Sequence, residues 1–461
     1  MNSSKWLSTK LKYLICIFLG SISFIIFLRF QYYKVNDAPS KVEVDNLKVK
    51  SNNCCLSIEW RNPIIKNFTG TKLVISTNNY EKVVYLGKYE SSYIFEEGKH
   101  GILYNVSIFV VLDDKILSDG TIQSAIFLNH DKLPDLPLIK IETIGGNEPK
   151  FEKVEPPENC VGLSISNNEY IPAIMNIEST NQTEFYSTIN IRVRGNTSAL
   201  TGKQPYKIHL DSSADLLNRN DSSYNNRNWI LLKDATTLRT VVGMYVASLC
   251  GSEWQPEFRF VNLMLNGDWK GIYLLIESVD VAKKRVNISN SGFLIENDAY
   301  WWNNEEYFRS DFQPELLAYT FKYPLGIQLT EEKIYQIQNY INEFEYYLWN
   351  SDPLYANYID ISSWASWLLT QDILASYDGV GTNIYLYKYD FDINEPTSSK
   401  LKLGPAWDFD STISKGTEED WCGIRANGIW YFNSLIAQSD FKSVYITIWN
   451  TIYPSLQYVS A

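Results

Sequence analysis

The stretch SYDGVGTNIYLYKYD (residues 376–390), followed by KLKLGPAWDFD (residues 400–410), decides how the chain is read. NIYLYKY alternates as a strand, NEPTSS supplies a turn, and KLKLGPAW makes the return strand. An antiparallel hairpin brings its two open ends together. Asn383, entering the first strand, and Asp408, leaving the second, are therefore expected side by side, with Asp378 just upstream. Two answers compete for this pattern. Asp, Gly and Asn populate loops for local backbone reasons. Three converging oxygen-bearing side chains also suit a hard cation such as Mg2+, held by one or two carboxylates and by phosphate oxygens.

The bulk composition narrows the choice. At 461 residues the chain suggests two or three domains, and 45% hydrophobic and 15% aromatic content supplies ample core. A formal charge of -12 argues against a nucleic-acid partner, which needs clustered Lys and Arg. Only His100, His130 and His209 are present, which disfavours His-rich zinc sites and Ser-His-Asp or Cys-His mechanisms. None of the six cysteines forms a CxxC pair. One disulfide among Cys160, Cys250 and Cys422 and buried free thiols are equally weighted expectations.

Residues 13–28, YLICIFLGSISFIIFL, carry no charge and follow Lys5, Lys10 and Lys12. No small-x-small cleavage site precedes Arg29, so the run reads as an uncleaved signal anchor. Residues 1–12 would stay cytosolic, and the bulk of the chain would be lumenal or extracellular. Sequons at Asn67, Asn105, Asn181, Asn196, Asn220 and Asn287 give modest support. After a stalk (29–41), residues 42–132 show short alternating runs such as LSIEW, TKLVIST and YNVSIFVVL, the signature of a small antiparallel β-sandwich. Trp60 and Tyr104 resemble the core Trp and Tyr of a fibronectin type III module.

Residues 133–461 read as one large α+β unit: strands, a helix in TTLRTVVGMYVASLCG, a hairpin around Asn266-Gly267, two amphipathic helices, then the paired short strands. That order matches a bilobal protein-kinase-like plan better than a barrel or a Rossmann sheet. The N-lobe is expected to run to about 277 and the C-lobe over 278–461. Protein kinases carry a D-x-x-x-x-N catalytic loop and a metal-binding Asp after the next hairpin.

RVRGNTS, KQPYKIHL, NWILLKDATTLR, FVNLMLNGDWKGIYLLIE and GPAWDFD resemble the CotH-type spore-coat kinases, atypical secreted or surface-exposed relatives of protein kinases. The resemblance implies a phosphotransferase that acts on proteins with ATP and Mg2+ (or Mn2+). Asp378 would be the catalytic Asp and Asn383 and Asp408 metal ligands, with Asp410 a further ligand or a loop cap. Lys207 would pair with phosphate, beside Arg194 and the backbone of RGNTS. Leu275, Ile276 and Glu277 are candidates to contact adenine where the chain crosses between lobes, and Trp407 could stack near the nucleotide. The bland readings are a solvated strand lysine, buried strand residues and ordinary core. A Gly-rich phosphate loop is absent from the sequence, and family members commonly continue with further helices, which leaves the completeness of the C-lobe open. A non-catalytic surface adhesin is the alternative function. A carbohydrate-cleaving enzyme with paired carboxylates ranks lower, because it does not explain the D-x4-N spacing. Substrate identity and oligomeric state are not written in the sequence.

Overall fold

Alternation between buried and exposed residues builds the first of two units, which span residues 1–133 and 134–461. The structure, a computed structural model, describes residues 42–459 except 114, 117, 130–131, 133–134, 161–163, 166–168, 179–184, 201, 234–236, 313–316, 377–382, 411 and 413–430. The expected anchor (13–28) and stalk lie outside the described residues. Among the described residues no helix is long and apolar enough to cross a membrane.

The first unit holds β1 (Asp45–Asn52), β2 (Cys55–Arg61), β3 (Phe68–Thr77), β4 (Tyr80–Gly87), β5 (Ser92–Phe95), β6 (Leu103–Leu112), β7 (Lys115–Ile116) and β8 (Thr121–Ile126). Strands β1-β2-β5 form one sheet, and β4-β3-β6-β7, with β8 also on β6, form the other. Leu56, Ile58 and Trp60 on β2 face Tyr104, Val106, Ile108 and Val110 on β6 across a shared core. The Tyr104 hydroxyl accepts the Lys99 N–H at 3.1 Å, the corner contact of a fibronectin type III-like sandwich.

The second unit is mixed helix and strand. Its first half comprises β9 (Leu138–Thr143), β10 (Lys153–Val154), β11 (Ser164–Ile165), β12 (Ile171–Glu178), β13 (Phe185–Val193), β14 (Tyr206–Ala214), β15 (Asn226–Leu232), α1 (Thr237–Leu249), β16 (Phe258–Leu265) and β17 (Asp268–Glu277). Seven of these strands close into a barrel in the order β12-β13-β14-β15-β17-β16-β9. Ile141, Met175, Ile191, Ile208, Trp229, Leu263 and Tyr273 fill it. The sequence favoured a plan without a barrel, and the difference lies in β9. It pairs antiparallel with β12 and parallel with β16, and this long-range parallel seam leaves no mark in local periodicity. Asn266, in the expected two-residue turn with Gly267, has φ 53° and Gly267 has φ 82°, the left-handed pair that such a turn requires. The Asn266 Oδ1 accepts the Thr143 N–H at 2.8 Å and the Thr143 hydroxyl at 3.0 Å, fastening the seam.

The second half holds β18 (Phe293–Asp298), β19 (Tyr307–Phe308), β20 (Ala318–Tyr323), α2 (Glu331–Trp349), α3 (Ile361–Ile373), β21 (Ile384–Lys388), β22 (Leu401–Leu403), α4 (Phe432–Ala437) and α5 (Ser439–Val459). The sheet order is β19-β20-β18-β21-β22. Thr330 caps α2 by accepting the Lys333 N–H, with Glu331 and Glu332 on the positive helix end, and Asp360 caps α3 through the Ser363 N–H. Phe293, Ile341, Phe344, Trp364, Leu368, Leu386 and Phe432 form a second core. Helix α1 ends as its sequence suggests, with Gly251 at φ 96°. It belongs with this second core, through Met244, Val246 and Ala247, rather than with the barrel that precedes it. Strand β22 is shorter than KLKLGPAW suggested. Pro405 has no N–H to extend the ladder, and the Gly404 N–H to the Tyr385 carbonyl, at 2.9 Å, is its last bond.

Asn266→Ala would leave the buried Thr143 N–H without its acceptor. The expected loss is about 1–3 kcal/mol of unfolding free energy, measured by urea denaturation of the 134–461 unit within the full chain.

Candidate functional site

Strands β13, β14 and β15 of the barrel and β18, β20 and β21 of the second sheet supply the facing walls of a cleft of about 520 Å3. One wall is cationic. Arg192 on β13 and Lys207 on β14 are direct cross-strand partners, Arg194 follows one turn of the pleat later, and Lys233 follows β15. Like charges set opposite one another on a sheet repel, so this pairing is unfavourable unless an anion offsets it. Burial pushes the Lys207 ammonium down to about 8, and Arg192 and Arg194 add to the shift. Burial also lowers Arg194, opposed by Tyr385 and Asp408, and its guanidinium sits 5.9 Å from the centre of the Trp407 ring.

The other wall is acidic. Glu296 and Asp298 alternate on β18 and so share one face, and Asp408 and Asp410 follow β22. Burial, reinforced by Glu296, raises the Asp298 carboxyl to about 6. Lys322 on β20 bridges to Glu296 at 2.7 Å; burial opposes its charge, yet Glu296 and Asp298 leave its ammonium above the ordinary range. At the end of the β21–β22 hairpin the Asn383 Nδ2 donates to the Asp408 Oδ2 at 3.2 Å. Both residues have left-handed backbones, φ 59° and 61°, conformations that a surrounding structure must enforce. Ile230, Leu232, Met244, Val279 and Trp407 line an apolar part between the walls.

Arg194, Lys207, Asn383, Trp407, Asp408 and Asp410 thus line one cleft. Asp378 lies outside the described residues. Leu275, Ile276 and Glu277 do not line the cleft, which corrects their expected contact with adenine. Strand β17 is paired on both sides, with β15 and with β16, so these backbones are committed to the ladders. Their side chains are fully buried: Leu275 in the barrel, Ile276 in the second core, and Glu277 against the Arg219 Nη2 at 2.8 Å and the Glu257 N–H at 3.1 Å. Ser278 and Val279, just beyond, line the cleft instead. Sequence reasoning missed Glu296, Asp298 and Lys322. The available signal, for Glu296 and Asp298, was charge at alternate positions of FLIEND after its apolar start. Arg239 on α1 donates to the Asp410 backbone carbonyl at 3.0 Å.

The donor set fits a hard divalent cation: carboxylates of Asp408 and Asp410 beside the Asn383 amide, with a cationic wall opposite for phosphate. Among the described residues no group of three His, Cys, Asp or Glu converges to hold a metal by itself. The fit therefore relies on the mixed set. The choice between a disulfide and buried thiols narrows as well, since Cys160 and Cys250 carry free thiols.

The lowered Lys207 value carries a sign. Below pH 8 the folded chain bears a desolvated ammonium that the unfolded chain solvates freely. Between pH 8 and about 10.4 the unfolded state binds more protons, so stability rises with pH. Lys207→Met should stabilise the fold at pH 7, on the order of 1–3 kcal/mol, and the gain should vanish as pH rises through that window. Denaturant titrations at pH 7 and pH 10 check it.

Comparison with known proteins gives the site its context. Among curated proteins, none matches the chain. Solved structures that it resembles include a fibronectin type III domain of the human collagen alpha-1(XX) chain, 15% identical over 20% of this chain and 92% of that one, with a TM-score of 0.19. A two-domain fibronectin type III segment of chicken tenascin is 14% identical over 36% and 89%, with a TM-score of 0.18. The twitchin kinase region from C. elegans is 8% identical over 59% and 43%, again with a TM-score of 0.18. The sandwich assignment rests on its own strand order. The family described as CotH kinase protein matches residues 191–456, from β13 to α5, a span that holds every described residue of the two walls. The chain belongs to the CotH kinase protein family.

Proposed function

We propose that the chain is an ATP- and divalent-metal-dependent protein kinase that phosphorylates Ser or Thr of secreted or surface proteins. It would be held at a membrane by residues 13–28, with its bulk lumenal or extracellular. The observation that carries this reading is the segregation of charge in one cleft, cationic on the barrel side and acidic on the side of Asn383 and Asp408. A triphosphate with its cation is the ligand whose charges alternate in that way. The two cores on either side of the cleft support a bilobal kinase-like plan.

Lys207 and Arg194 would offset phosphate charge, and the apolar patch of Ile230, Leu232, Met244, Val279 and Trp407 would receive the base. A divalent cation bound at Asp408, Asn383 and Asp410 would supply charge neutralisation between the transferring phosphates. Asp378 would orient the acceptor hydroxyl and take its proton as the new O–P bond forms and the bond to ADP breaks. Intact Asp378, Asn383 and Asp408 favour this reading over display without catalysis.

Calorimetry with ATP should show tighter binding with Mg2+ than without, and Asp408→Ala should remove that increment while metal-free binding persists. Equal affinity in both conditions would sink the metal reading. In a radiolabelled-ATP assay, Asp378→Asn should keep nucleotide binding but lower transfer by about two or more orders of magnitude. Transfer undiminished in that variant would show that Asp378 does not orient the acceptor.

A further inference from the structure

A second cavity, of about 490 Å3, lies in the 134–461 unit and shares no lining residue with the cleft between the charged walls. The sequence AKKRV (282–286), in the connection from β17 to β18, builds part of its lining. This connection folds back on itself: the Arg285 N–H donates to the Ala282 carbonyl at 3.0 Å, and the Val286 N–H to the Asp280 carbonyl at 3.2 Å. The turn leaves Lys283 and Lys284 exposed and buries Arg285, which is 3% accessible. The Arg285 Nη1 donates to the Asn228 carbonyl and to the Ser278 hydroxyl, each at 2.9 Å. Its Nη2 is buried with no hydrogen-bond partner among the described residues. Trp367 on α3 also lines the cavity; its ring stacks on Phe432 at 5.4 Å, and its buried Nε1 likewise has no partner among the described residues. Buried polar groups are nearly always satisfied, so two such donors in the lining of one cavity call for an acceptor.

The charges around the cavity leave a positive excess at its rim. Glu253 is taken by Lys402 and by the Tyr387 hydroxyl, 2.8 Å away, and Glu257 bridges to the Arg219 Nη1 at 3.2 Å. Glu277, 3.8 Å from the Arg285 Nε, is already held by Arg219 at 2.8 Å. Lys283 and Lys284 form no salt bridge among the described residues, and Lys284 lies 5.3 Å from the centre of the Tyr224 ring.

We infer that this cavity is a binding site for a small organic oxyanion, a phosphate or carboxylate carried on a ring. Lys283 and Lys284 meet its charge at the rim, Arg285 and Trp367 supply donors to its oxygens, and Trp254 and Trp367 offer aromatic surface to the ring. The volume is in the range of small-molecule pockets, and a guanidinium held by a fold-back turn is organised before its ligand arrives. The site stands apart from the phosphotransfer reading, because none of its residues belongs to either charged wall.

The experiment titrates the full chain with phenyl phosphate, benzoate and inorganic phosphate by calorimetry, and locates each probe by amide hydrogen exchange. One of the two organic probes should bind at least about tenfold more tightly than inorganic phosphate and should slow exchange in 252–257 and 281–288. Whichever binds more tightly names the oxyanion. Lys283→Ala/Lys284→Ala, at two exposed positions, should weaken that binding at least about tenfold with the thermal midpoint unchanged. Trp367→Phe, which removes the nitrogen and keeps a ring against Phe432, should weaken it about threefold or more. Failure of both organic probes to bind overturns the proposal, since solvent then suffices for the two donors. Binding that survives the double lysine substitution overturns it too, as does protection that falls on 192–198 at the charged cleft. Inorganic phosphate binding as tightly as phenyl phosphate would mean an adventitious ion only, and would also overturn it.

Discussion

Two partly buried walls of opposite sign, facing each other across one cleft, set the terms for the rest of the second unit. Neither wall is comfortable alone. Arg192 opposes Lys207 on adjacent strands, and Glu296 raises Asp298 after burial has already done so. Each wall therefore needs a rigid backing that will not relax to disperse its charge. The barrel provides one, with hydrogen-bonded neighbours on both sides of every wall strand, and the five-stranded sheet with its helices provides the other. Lys322, bridged to Glu296 within the acidic wall, keeps that wall from being uniformly negative.

The backing is joined by buried charge as well as by apolar packing. Arg219 spans Asp215 and Glu277 at 2.8 Å each, and Glu277, fully buried, also takes the Glu257 N–H. Removing Glu277 would take one carboxylate from Arg219, which keeps Asp215, and would leave the Glu257 N–H without its acceptor, which is why a residue with no place in the cleft is not interchangeable with an apolar one by simple truncation. It is also why the sequence misleads at this point. YLLIE looks like a strand ending at an exposed acid, while the acid is the anchor beneath the first residues that do line the cleft.

What was legible followed local rules. The β-sandwich, the Asn266-Gly267 turn, the Gly251 helix end and the meeting of Asn383 with Asp408 each depend on residues a few positions apart or on one hairpin. What was not legible depended on pairings across long stretches. The barrel needs β9 beside β16, the allegiance of α1 needs Phe409, and the Glu296–Asp298 wall needs β18 to lie beside β21. Charged residues in FLIEND announce that something is unusual, but only the register with β21 says which cleft they face.

The parallel seam has a consequence for the order in which the chain is made. Thr143 leaves the ribosome early, and the Asn266 that fastens it comes 123 residues later. Until β16 and β17 have emerged, the barrel is an open sheet with β9 exposed along one edge, and closing it costs the entropy of a long loop. The strands of the sandwich before it all lie between Asp45 and Ile126, and its ladders are antiparallel, so it can be complete while the barrel waits. A nascent chain of this kind passes through a stage in which a folded module precedes an unpaired apolar edge. During that interval the cell's folding helpers, rather than the native contacts, would guard it from aggregation.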